Sequence, residues 1–484
     1  MSLAATRERL RYFSGAWLLI ALTVPVSVSH AAVEISTKTT RNMICSAGIC
    51  TPTATDAVLN VSDLGGLLAS GNVTVTTTGS EDVQADDIDV TNAVSWSTNA
   101  VLALDAYESI NIGNSVAVQA QGGLLLTTDD GGSGGQLSIS QKGSVVFGNL
   151  SSPLTINGTS YALVGSISTL ASAIAANPSG AYALANSYDA SADGTYTESP
   201  IQTDFGGALD GLGNTITNLS IESNGSNNVL GLFNEIVSGT VEHMHLRHLD
   251  IGTSKKGDLS TGAFAGINYG YLFETSVSGK IRFRGVQGIG GLVSTSGGTI
   301  EDCSADVDIS GTRAGSAAGG LVEFNAGMIN ESFATGSVTV GNKSIAGGLV
   351  GGNGSLIENS YATGAVVGGT ASEIGGMSGE ETQKSNTAVS TSYSTGAVSG
   401  GLSSLVGGFV GKSNKTSNYT GAYWDVTTSG TSQAAGEGNS RGIVGQTTEE
   451  LQSGLPAGFD PAIWGLNRKI NNSLPYLLNN PPPK

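Results

Sequence analysis

Charge and cysteine are both scarce in this chain of 484 residues. Charged side chains make up 12% of it, about half the usual share for soluble domains. Lys and Arg number 21 against 39 Asp and Glu, a net charge of −18. No basic block exists to gather phosphates, so nucleic-acid binding is excluded as a function and anionic membranes repel the chain. Three cysteines are too few for a disulfide-stapled scaffold. Aromatics supply only 6%. Beyond the N-terminus no apolar run approaches the ~20 residues that span a bilayer.

Glycine is abundant instead, at 71 residues, with Ser, Thr and Asn making up much of the remainder. These residues are poor helix formers, whereas Val, Ile and Thr suit strands. No Gly-X-Y period occurs, which excludes collagen. The expected class is all-β. At the start, Arg7, Arg9 and Arg11 precede an apolar run from Ala16 to Val28 and then Ser29-His30-Ala31. This is the layout of a secretory signal peptide cleaved after Ala31. It predicts a secreted or cell-surface protein, with the periplasm left open, and no transmembrane span once the signal is removed.

A Gly-apolar unit recurs at Leu232, Phe264, Leu292, Leu321, Leu349, Met377 and Phe409, at spacings of 32, 28, 29, 28, 28 and 32 residues. The copies GGLVEFNAGMINESFATGSVTVG and GGLVGGNGSLIENSYATGAVVGG align without gaps. Counted from the marker, an aliphatic residue falls at plus eight (Ile300, Ile329, Ile357) and a small residue at plus eleven (Thr275, Cys303, Ser332, Ser360). Mostly Ala follows at plus thirteen, often Gly at plus fifteen, and Val or Ile at plus seventeen. The period-two alternation is that of half-buried strands, two or three per repeat. One coil cannot bury its apolar side alone, so stacked coils form the core. The expectation is a parallel β-solenoid of seven repeats, rising ~4.8 Å per coil, with Gly at turns that need positive φ. In the Met377 copy the series arrives late, and EETQKSNT is expected to hold the insertion as a loop.

The remaining chain divides around this array. Residues 1–31 form the signal peptide, and 32–160 a less regular solenoid stretch of short strands. Residues 161–221 form a junction with a short helix, SISTLASAIAA, stopped at Asn177-Pro178. Residues 222–418 hold the repeats and 419–484 a capping region. There Trp424, Trp464 and Tyr476 are expected to cover the hydrophobic end of the stack, and Thr447 to start a short capped helix.

GGLVGGNGSLIENSYATGAVVGG and its copies resemble the GLUG motif of large bacterial surface proteins. LNVSDLGGLLASGNVTVTTT and ALDAYESINIG resemble coils of filamentous-haemagglutinin-like exoproteins. The resemblance implies a right-handed parallel β-helix and a non-enzymatic role in adhesion or matrix interaction. Its partners would be glycans or components of host or bacterial surfaces. The Asn-Pro-Asn motifs of such exoproteins are absent, so an outer-membrane secretion partner remains a candidate only.

No catalytic residue, cofactor or metal ligand is assigned. Gly-x-Ser-x-Gly around Ser133 and Ser440 lacks the strand–turn–helix setting of a nucleophile elbow. Cys45 and Cys50 either bridge a small loop or stay free, and Cys303 reads as a small core residue. His243 and His245 share one strand parity in HMHLRH; a solvated face is favoured over a metal pair. The alternative to an adhesin is a polysaccharide lyase or hydrolase built on Glu301, Asp302, Asp306 and Asp308 with Arg282, Arg284 and Arg313. A passive envelope scaffold is a third. At plus ten an acid recurs, Glu274, Asp302 and Glu331, with parity that predicts an outward, solvated column. Asp82, Asp86, Asp87, Asp89 and Asp129-Asp130 are weaker candidates for calcium.

Overall fold

Why a repeat of this composition stacks is visible in its register. In the computed structural model, which describes residues 31–79, 83–225, 229–253, 260–285, 287–382 and 387–483, strands of successive coils pair in parallel. Leu272, Ile300, Ile329, Ile357 and Val389 lie side by side across five coils. All are at most 1% exposed. The plus-eleven residues Thr275, Cys303, Ser332, Ser360 and Ser392 are equally buried. The chain is a nearly all-β parallel solenoid of about 13 turns. From the Leu232 coil to the Met377 coil each repeat has four or five short strands, not two or three. In one coil they are Gly288–Gly290, Val293–Ser296, Thr299–Glu301 and Ser304–Ser310. The additional strand precedes the marker, where a run as short as GIG shows no alternation.

The glycine pairs of the motif have another purpose than the one expected. Gly319, Gly320, Gly347 and Gly348 do not adopt left-handed φ. A Cβ on Gly348 would stand 2.1 Å from the Gly376 carbonyl oxygen of the next coil. The pair is small because neighbouring backbones touch there. Left-handed φ occurs instead at plus ten, on residues that have side chains.

A second polar column runs inside the stack. Asn268 donates to Ser296 Oγ at 3.1 Å, Asn325 to Asn353 Oδ1 at 2.9 Å, and Asn353 to Glu381 Oε2 at 3.0 Å. These buried amides are satisfied by their equivalents one coil along, which removes the cost of burying them. Of the expected insertion loop, residues 383–386 lie outside the described residues. So do residues 1–30, the body of the expected signal, and Asp82.

The N-terminal stretch has its own core, including Val33, Ile88, Leu102, Leu104, Leu126 and Phe147. Leu102 and Leu104 stand beside Leu124 and Leu126 in parallel strands. One segment expected as strand is a helix, Val61–Ser70. Asn60 caps it by accepting from Ser62 N at 2.8 Å, and Leu64 and Leu68, one turn apart, are buried. The cap and this spacing outweigh Gly65 and Gly66. Cys45 and Cys50 face each other in an antiparallel hairpin and are bonded.

Helices form at both other expected places, Ile167–Ala176 behind a Ser166 capping box and Thr448–Ser453 behind a Thr447 box. The C-terminal region covers the stack along its side. Phe333, Tyr361, Tyr393 and Tyr423 form a column one residue before plus thirteen, with Phe333 and Tyr361 rings 4.8 Å apart and Tyr361 and Tyr393 rings 5.1 Å apart. Phe459, Trp464 and Leu477 pack onto it. Trp424 belongs to the array core instead. Among the described residues no helix is long and apolar enough to cross a membrane.

Candidate functional site

After the aliphatic residue equivalent to plus eight every middle coil turns through one left-handed residue, between two strands or, at Thr391, within one. His243, Glu274, Asp302, Glu331, Asn359 and Thr391 hold φ between 42° and 50°. His243 joins this column because Glu242 pairs with Phe273, one place before Glu274. The column therefore starts with a base, continues with three acids and ends neutral.

Alternation along one strand predicts an outward, solvated column, and the structure corrects this. Asp302 is 6% exposed. Two distant segments cover it. Ser138–Gln141, from the last coil of the N-terminal stretch, reaches Glu274: Ser138 Oγ donates to Oε1 at 2.6 Å and Ile139 N to Oε2 at 3.0 Å. From the other side the C-terminal tail returns along the stack. Asn480 donates to the carbonyls of Cys303 at 3.0 Å and Glu331 at 3.2 Å, and Gln141 donates to Pro481 O. A cavity of about 390 Å³ remains between them, lined by His245, Asp302, Ser304, Asp306, Thr335 and Asn480 among others. It continues past Thr363 toward Asn471 and Asn472.

His243 closes the first end. It is buried, with Nδ1 3.0 Å from Asp210 Oδ1 and Nε2 3.0 Å from Leu137 O. Glu274 Oε2 lies 3.7 Å away. Burial opposes its charge, yet Asp210, Glu274 and Glu242 hold its pKa up at about 10. The ring is an imidazolium, donating from both nitrogens. His243, Asp210 and Glu242 lie close enough for their ligand atoms to meet one ion. A metal needs a free imidazole lone pair, however, and both nitrogens are engaged. The imidazolium itself is the cation of that cluster. His245 differs: burial, then Arg247 and His243, lowers its pKa to about 4, and its Nδ1 lies 2.8 Å from Ser276 Oγ.

Burial also raises the carboxyl pKa values, Glu242 to about 7 and Asp302 to about 8, the latter with help from Glu331, Glu274 and Glu301. Asp306 and Asp308 are exposed, as their parity predicts. They accept from Thr335 Oγ1 at 3.0 Å and Ser337 Oγ at 2.6 Å. Arg313 is exposed, and two of the arginines are held by other acids. Arg282 pairs with Asp250 at 2.6 Å and Arg284 with Glu222 at 3.3 Å. The acids and arginines of the polysaccharide-enzyme alternative are thus not assembled against each other. Cys303 is buried and lies 3.1 Å from Thr275 Oγ1, and burial raises its pKa to about 12, which disfavours a nucleophile. Among the weaker calcium candidates, Asp87, Asp89 and Asp129 accept from Ser109 N, Asn111 Nδ2 and Gly135 N.

These features define a parallel β-solenoid built in part of GLUG-type repeats, with a polar groove along one seam. Residues 344–367 match the GLUG motif. Halomucin of Haloquadratum walsbyi is 41% identical over 101 residues, which are 20% of this chain and 1% of Halomucin. The chain thus spans a very small part of that relative. An IgA1 protease structure aligns with 54% of this chain and 22% of its own, at 23% identity and a TM-score of 0.37. A structure from Bacteroides ovatus aligns with 62% of this chain and 85% of its own, at 18% identity and a TM-score of 0.39. These structural likenesses concern the fold alone.

Proposed function

We propose that this protein is a secreted or cell-surface attachment protein that holds a glycan in the seam groove without turning it over. The observation that carries the reading is the lining of the groove. Ser304, Asp306, Thr335, Thr363, Asn471 and Asn480 present hydroxyls, amides and one exposed carboxylate along several coils. Sugar hydroxyls are recognised by such short polar groups, and an elongated groove lets weak contacts add along a chain. Arg282 and Arg284, the bases expected beside these acids, are held by Asp250 and Glu222 instead. The likeness to Halomucin and the GLUG-motif match support an extracellular or surface place.

The test is retention of the purified protein, residues 32–484, on a panel of bacterial and host polysaccharides. Saturable retention on one class, lost in Asp306→Ala and Thr335→Ala, is the expected result. No retention overturns the attachment reading. New reducing ends or unsaturated products, lost in Asp302→Ala, would replace it with the polysaccharide-acting enzyme.

A further inference from the structure

We propose that the seam holds a divalent cation of the calcium type, anchored by Asp302 and shared with Glu331 and the C-terminal tail. This goes beyond attachment and does not depend on it.

Asp302 Oδ1 is enclosed and has no hydrogen-bond partner, although the residue lines the seam cavity. A buried carboxylate oxygen without a partner is costly, and native structures leave few of them. Arg247 also lines this cavity, and Lys469 lines its continuation, but neither is ion-paired to Asp302 or Glu331. Among the described residues no Lys, Arg or His forms an ion pair with Glu301, Asp302 or Glu331. Arg282 and Lys280 are held by Asp250, Arg284 by Glu222, and His243 by Asp210 and Glu274. Glu301 is satisfied by Tyr271 OH at 2.8 Å and Asn330 Nδ2 at 3.2 Å. Among the described residues Glu331, one coil along from Asp302, receives a single side-chain contact, from Asn330 at 3.4 Å on Oε1.

Apart from His245, the donors lining the cavity are oxygens: two carboxylates, the neighbouring Ser304 and Thr335 hydroxyls, and the tail amides and carbonyls. Such a set suits a hard cation with flexible coordination. Asn480 is already pinned to the carbonyls of Cys303 and Glu331, the residues beside and within this pair. A bound cation would therefore fasten the tail to the array as well as neutralise the column.

The measurement is calorimetric titration of purified residues 32–484, stripped with EDTA, with CaCl2 and separately with MgCl2. Saturable calcium binding near one ion per chain is expected, with magnesium weaker. Asp302→Asn and Glu331→Gln should each weaken calcium by about tenfold or more, with far-UV dichroism unchanged. Asp308→Asn, on the exposed face, should bind as the parent does. Absence of saturable calcium binding overturns the proposal. So does parental affinity in both folded variants.

Discussion

Glu381 occupies the place where other coils carry Asn268, Asn325 and Asn353, so an ionisable group ends the internal amide column. Its oxygens accept from Asn353 at 3.0 Å and Ser378 at 2.7 Å, and burial, the dominant cause, raises its pKa to about 7. A carboxyl whose folded pKa exceeds its unfolded value of 4.5 adds stability below that value and loses it as pH rises to about 7. Glu381→Gln keeps the shape without the charge. Its melting temperature relative to the parent should therefore rise between pH 4.5 and 7 and level off above. A constant offset across that range would show that the side chain does not titrate in the fold. The recurring Asn at plus four was visible in the sequence as a repeated letter. Nothing local distinguished a buried amide from a turn residue, because both uses favour Asn.

At the scale of strands and turns, repetition made the sequence unusually readable. A position such as Ile300, Ile329, Ile357 declares its burial several times over, and the register follows. The reading failed where local preference and tertiary contact compete. Glycine was assigned to left-handed turns, yet those turns carry Glu274, Asp302 and Glu331, while Gly347-Gly348 keeps adjacent coils in contact. The helix Val61–Ser70 was hidden by Gly65-Gly66, around which nothing lies within 4 Å. The two settings predict opposite results for one substitution. Gly348→Ala must push its Cβ into the next coil and should destabilise by about 1–3 kcal/mol. Gly65→Ala fills open space on a helix and should stabilise by about 0.5–1 kcal/mol. Urea unfolding of the two variants beside the parent checks both signs. Destabilisation by Gly65→Ala would mean that the helix is not formed in solution.

Across the whole molecule, the seam joins parts more than a hundred residues apart in sequence, which is why the candidate site was not legible. Parity correctly placed Asp306 and Asp308 outside, but Asp302 sits on a left-handed turn between strands, where alternation does not carry through. The joint depends on one base. His243 ties Asp210 to Leu137 O, and Asn214 Nδ2 reaches Val145 O at 2.8 Å and Leu184 O at 2.9 Å beside it. Leu212 of the first repeat-side coil is buried in the N-terminal core. His243→Gln leaves Asp210, Glu242 and Glu274 without their counter-charge, and breaking a buried pair this way costs about 3–5 kcal/mol. Solenoid coils are stabilised mainly by their neighbours, so the loss should stay near the joint. Amide exchange at 137–141 and 210–214 should accelerate in this variant, while Ile329 and Ile357, several coils away, keep their parental protection. Uniform acceleration along the array would instead mean that the N-terminal stretch and the repeats unfold as one cooperative unit, with the imidazolium stabilising both.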